Sequence, residues 1–123
     1  NRASPIPPVK PIVEENTTIY RGANGQTYRV PNSAYSRLLS MQTDLRVTLG
    51  GLNTKEKELS DLSRKIENDR FKLDQTSQRQ VDSFNDSVQT HNSRNQALRR
   101  EFDSYNRKVD AFNSELERVG TRY

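Results

Sequence analysis

From Leu38 onward the apolar side chains fall in two sets at steps of three, four and seven residues, apart from one ten-residue gap between Val88 and Leu98. Leu38, Leu45, Leu49, Leu52, Leu59, Leu62, Ile66 and Leu73 form one set. Val81, Phe84, Val88, Leu98, Phe102, Tyr105, Val109, Phe112, Leu116, Val119 and Tyr123 form a second. Steps that average 3.5 keep side chains on one stripe of an α-helix, the heptad seam of a coiled coil. No Gly or Pro falls between Leu52 and Val119 to interrupt it. The phase breaks between Leu73 and Val81, around the polar stretch DQTSQRQ, where Ser77 and Gln80 have capping-box spacing. Folding the chain about residue 77 sets position i opposite 154 − i. Leu38 then faces Leu116, Leu45 faces Val109, Leu49 faces Tyr105, Leu52 faces Phe102 and Ile66 faces Val88. The break lies midway, so the pattern predicts a long antiparallel coiled-coil α-hairpin over residues 33–123, with arms of about 33–73 and 81–119.

Two other arrangements satisfy the same spacing. The eight-residue step is also a stutter in one continuous helix, which needs a second chain to cover its seam. A turn within Asn85–Gln96, where Ser93 and Gln96 repeat the capping-box spacing, gives three helices when combined with a break at Gly50-Gly51. Within the hairpin those two glycines read as a kink or hinge, each costing ~1 kcal/mol relative to Ala.

The second arm is also an internal repeat. Residues 83–117 divide into SFNDSVQ, THNSRNQ, ALRREFD, SYNRKVD and AFNSELE. A small residue, a large core residue and usually Asn open each unit. This Phe/Tyr-Asn recurrence resembles extracytoplasmic bacterial coiled coils, which implies the bacterial envelope, periplasm or extracellular space rather than the cytoplasm. A start at Asn1 rather than Met is compatible with export. By register His91 and Asn95 fall on the seam, where a polar residue fixes register at a cost in stability.

The N-terminal quarter is different. Four of five prolines lie between Pro5 and Pro11, so residues 1–17 read as an extended, proline-rich arm. Residues 18–31 follow as a β-hairpin. A two-residue type I′ turn at Asn24-Gly25 would pair Ile19 with Val30, Tyr20 with Arg29 and Arg21 with Tyr28. Two Tyr–Arg pairs would then stack across the strands. Ile19, Tyr20, Arg21, Tyr28 and Arg29 are accordingly the candidate partner-docking residues. An isolated two-stranded hairpin is marginal in water, so it should pack on its own helices or on a neighbouring subunit.

Composition narrows the function. Only 30% of the 123 residues are hydrophobic, 29% are charged, and a further 39 are Asn, Gln, Ser or Thr. This is too little apolar material for a compact α/β or sandwich core, but enough for a narrow helical seam. The absence of Cys excludes disulfides, thiolate metal sites and cysteine nucleophiles. The single His has no second His at helical spacing, and no phosphate loop or nucleophile elbow occurs. The sequence therefore points away from an enzyme, a cofactor, a bound metal or a small-molecule substrate, and no apolar run is long enough for a transmembrane segment.

The net charge of +4 divides equally between residues 1–32 and 33–123, and acids and bases interleave in the second region. That is the pattern of a solvated helix face. The densest basic stretch, Arg94, Arg99, Arg100, Arg107 and Lys108, is diluted by Glu101, Asp103 and Asp110. The expected function is a non-enzymatic structural or scaffold subunit of a multi-subunit assembly. It would dock protein partners, or further copies of itself as a homo-oligomer, through the arm and β-hairpin, with the coiled coil as spacer or packing surface. The alternative is a nucleic-acid-associated basic coiled-coil protein.

Overall fold

The computed structural model describes residues 16–22 and 25–122. Most of the proline-rich arm and Asn24 of the turn lie outside them. The described chain is mainly helical. Strands β1 (Thr17–Arg21) and β2 (Thr27–Pro31) precede helices α1 (Asn32–Lys72) and α2 (Gln78–Val119), and a two-residue strand β3 (Thr121–Arg122) follows. The two long helices pack against each other as a hairpin. This arrangement excludes both the continuous rod and the three-helix alternative, since α1 runs through Gly50-Gly51 and α2 through Asn85–Gln96 without interruption.

Contacts divide the chain into two compact units. One comprises residues 1–44 and 109–123, the other residues 45–108.

In the first unit the three strands form an antiparallel sheet of order β1-β2-β3. Thr18 pairs with Val30, Ile19 with Arg29, Tyr20 with Tyr28 and Arg21 with Thr27. This corrects the expected register by one residue. The cause is the loop. Gly22 N–H donates to the Gln26 carbonyl at 2.8 Å and Gly25 N–H to the Gly22 carbonyl at 3.0 Å, leaving three residues between the last bonded pair. Gly25 has φ +82°, the left-handed residue that closes a three-residue hairpin loop. Because strand side chains alternate faces, the corrected register sets Tyr20 opposite Tyr28 on one face and Ile19 opposite Arg29 on the other. The expected Tyr–Arg pairs are therefore not direct cross-strand partners.

Tyr20, Tyr28 and Val30 are buried together with Ala34 and Leu38 of α1 and Phe112 and Leu116 of α2. Each helix contributes an i,i+4 pair, so the buried side chains line one face. The Tyr20 ring lies 6.3 Å from Phe112 and 6.4 Å, nearly perpendicular, from Tyr35. The β-hairpin thus packs on its own helices. At the end of α2, Gly120 N–H donates to the Leu116 carbonyl at 2.8 Å and the chain enters β3. A Cβ on Gly120 would lie 2.8 Å from the Leu116 carbonyl oxygen and 3.3 Å from Tyr28, so close approach requires glycine here.

The second unit is a thinner assembly. Its buried side chains are Leu52, Leu59 and Leu98, with Phe102 and Tyr105 packed beside them. Leu52 and Phe102 share this cluster, as the fold about residue 77 requires. Lys55 donates to Glu101 at 2.7 Å and ties the helices outside the seam. Nearer the turn, Leu62, Ile66, Leu73, Val81, Phe84 and Val88 are only half-buried. The turn is held by its own polar side chains. Asp74 accepts from Thr76 N–H at 3.0 Å and from its hydroxyl at 2.6 Å. Ser77 Oγ caps α2 by accepting from Gln80 N–H at 3.3 Å. The Gln80 side chain reaches back to Asp74 N–H at 2.9 Å, a capping box closed three residues upstream of its usual partner.

Candidate functional site

The corrected register sorts the five candidate docking residues into two groups. Tyr20 and Tyr28 are 3% and 2% exposed and belong to the core of the first unit. Tyr28 also donates its hydroxyl to Glu117 Oε2 at 2.9 Å, which joins β2 to the last turn of α2. Neither side chain can meet a partner without unfolding that core. Ile19, Arg21 and Arg29 lie on the opposite face and are exposed, Ile19 by 48%. Ile19 and Arg29 are direct cross-strand partners, and Thr121 pairs with Arg29 on its other side. The outer face of the sheet therefore presents Thr17, Ile19 and Arg21 on β1, Thr27, Arg29 and Pro31 on β2 and Thr121 on β3. Among the described residues it contains two cations, an isoleucine and no carboxylate.

A charge network holds the helix ends behind this face. Glu115 accepts two bonds from Arg118, at 3.0 and 2.7 Å, and a third from Arg37 of α1. Bonds first from Arg118 and then from Arg37 hold its carboxyl at about 2, against an ordinary 4.5. The Glu117 carboxyl is lowered chiefly by the Tyr28 hydroxyl and then by Arg122, which bonds it at 3.1 Å. Arg118 and Arg122 are raised by the same bonds to Glu115 and Glu117. This network is structural in form: every carboxylate in it is engaged by a neighbour of the same chain.

His91 and Asn95, placed on the seam by register, have different surroundings. His91 is half-buried and Asn95 is exposed, while Leu59 and Leu98 close the seam beside it. A shallow groove of about 370 Å³ lies there, lined by Lys55, Glu58, Leu59, Arg94, Leu98 and Glu101 among others. Among the described residues no three His, Cys, Asp or Glu side chains are grouped so as to hold a metal ion. No helix among them is long and apolar enough to cross a membrane.

Three of the basic residues singled out on α2, Arg99, Arg100 and Arg107, share an arc of about 100°, and Asp103 and Asp110 fall inside the same arc. At about 100° per residue, Arg99, Arg107, Arg100 and Lys108 lie about 140°, 220°, 240° and 320° round the helix from Arg94. Sequence reasoning missed β3 and the Tyr28–Glu117–Arg122 link. The signals for them were Gly120 directly after Val119, followed by a β-branched Thr121. No family model matches this chain, and no curated protein or solved structure is significantly similar to it.

Proposed function

We propose that this protein is a non-enzymatic structural subunit that docks protein partners through the outer face of its three-stranded sheet. The helical hairpin serves as spacer and packing surface. The observation that carries this reading is the exposure of Ile19 at the middle of β1, bracketed by Arg21 and by its cross-strand partner Arg29. A half-exposed isoleucine contributes little to the fold. Beside two exposed cations it supplies the apolar centre and polar rim that protein interfaces use. The inner face of the same strands supports the reading from the other side: Tyr20, Tyr28 and Val30 fix the sheet on the helices and so present Ile19 and Arg29 on a rigid element.

The test is the pair Ile19→Asp and Arg29→Glu in the full chain. Both should leave helix content and melting unchanged, because neither side chain is buried. Both should abolish recovery of the chain in its purified complex. Retention of the complex would refute the docking face.

The nucleic-acid reading draws on the net charge of +4 and on the ion-pair pattern. Arg94, Arg99, Arg100, Arg107 and Lys108 make no ion pair among the described residues, and Arg99, Arg100 and Arg107 share an arc of about 100°, but Asp103 and Asp110 lie within that arc, unlike the uniformly basic cluster that phosphate binding favours. Steeply salt-dependent binding to a duplex or single-stranded fragment, unaffected by Ile19→Asp, would favour that function instead.

A further inference from the structure

Gly50 and Gly51 are adjacent, exposed and interior to α1. Glycine is among the least favourable residues at such positions. Within this chain the missing side chains serve no packing purpose, since a Cβ built on either glycine meets nothing within 4 Å. Neither residue has a positive φ that would demand glycine. Gly120 is the opposite case, crowded by Tyr28. The reason for the glycine pair must therefore lie outside static packing.

Two neighbours indicate what it is. Thr54 Oγ1 donates to the Gly50 carbonyl at 3.0 Å, an i−4 bond of the kind Thr43 makes to Leu39 and Ser87 of α2 to Ser83, and here alone among these it falls on a glycine carbonyl. Leu52, one residue beyond the pair, is 3% exposed and belongs to the best-packed layer of its unit, with Leu59 and Leu98. Helices bend convex toward solvent, by lengthening hydrogen bonds on the solvent side. Here the solvent side carries the glycines and the auxiliary threonine donor, and the core side is anchored by Leu52. The facing helix α2 contains no glycine or proline.

We infer that residues 49–54 form a flexure in α1, pivoted on the Leu52 layer, at which this helix bends while α2 stays stiff. Hydrogen bonds to the Gly50 and Gly51 carbonyls stretch as it bends, and the Thr54 hydroxyl keeps the Gly50 carbonyl satisfied. The device gives the spacer compliance at a defined level without loosening the core beneath it.

Residue-resolved amide exchange of the full chain tests this, compared with the double variant G50A/G51A. The amides that bond to the Gly50 and Gly51 carbonyls in the i→i−4 ladder are those of Thr54 and Lys55. After correction for intrinsic rates, they should exchange at least about tenfold faster than Lys57 and Glu58, exposed one turn further on. The double variant should slow them about 30-fold, the ratio equivalent to two glycine-to-alanine propensities, with the change confined to residues 50–55. Equal protection along this stretch in the native chain would overturn the inference, as would a slowing spread evenly over α1. Loss of self-association in the variant with exchange unchanged would also overturn it, making Val47, Gly50, Gly51 and Thr54 a docking ridge instead.

Discussion

The two units contain the same pair of helices and stabilise them differently. In residues 1–44 and 109–123 a sheet covers the helix ends, and Tyr20, Tyr28, Val30, Leu38, Phe112 and Leu116 are all buried. In residues 45–108 the helices have only each other, three leucines are buried, and the seam toward the turn is half-exposed. A two-helix seam leaves each core side chain open on at least one flank. A third layer closes that flank, so the shorter helix segments of the first unit are buried more completely than the longer apolar stripe of the second. What distinguishes the units is the presence of a lid, and the hydrophobicity of the helices themselves matters less.

The largest test of this contrast is truncation of matched seam residues. Leu38→Ala, at a site with no exposed surface, should cost about 2–5 kcal/mol. Ile66→Ala, on the uncovered seam, should cost less than half as much, and urea melts of the two variants compare them directly. Similar costs would erase the distinction.

Glycine substitutions should differ in sign between the units. Gly120→Ala introduces contacts of 2.8 and 3.3 Å and should destabilise by about 1–3 kcal/mol. Gly51→Ala, in open space, should stabilise by about 1 kcal/mol in thermal melts.

Tyr28→Phe keeps the buried ring and removes its bond to Glu117, so a loss of about 1 kcal/mol is expected in the same melts. His91→Leu should raise stability by about 1 kcal/mol, since an apolar side chain replaces a half-buried polar one on the thin seam.

The smallest effect concerns acid. The Glu115 carboxyl is held at about 2, below its ordinary 4.5. Its contribution to stability is therefore complete above about 4.5 and is lost as pH falls from there through about 2. Carboxyl chemical shifts should place the Glu115 midpoint near 2, and Arg37→Met with Arg118→Met should return it toward 4.5. An unshifted midpoint in the native chain would remove the charge network from the comparison.

The helices were legible because periodicity is a property of the sequence alone. Leu38 through Val119 fix a stripe, and DQTSQRQ, which contains no apolar side chain, marks where it reverses. Ser77 and Gln80 carried the capping signal, and both bond as expected except that Gln80 reaches Asp74. The β-hairpin was legible as an element, while its register was not. Asn-Gly strongly suggests a two-residue turn, yet Gly25 takes the left-handed position of a three-residue loop, and that one-residue difference reassigns every side chain to a face. Tyr20 and Tyr28 consequently changed from candidate contacts to core. Strand β3 escaped notice because two residues have no periodicity, and its pairing with β2 is decided by where α2 delivers the chain. Asn95 kept its heptad position in the sequence, but Leu59 and Leu98 close the seam beside it and leave it in solvent.

The separation along the chain of the bonds described above also sets an order of assembly. The turn contacts of Asp74 join residues two and six positions apart, whereas Arg37–Glu115 and Tyr28–Glu117 span 78 and 89 positions. Loop-closure entropy rises with the logarithm of that span. The hairpin accordingly zips from Asp74 outward, each new layer shortening the loop left to close for the next. On this ground the sheet-covered unit is expected to form last, because during synthesis Tyr20, Tyr28 and Val30 precede residues 112–122, the helix end on which they pack. The best-packed part of the molecule is thus the part whose apolar strands stay exposed longest in the nascent chain.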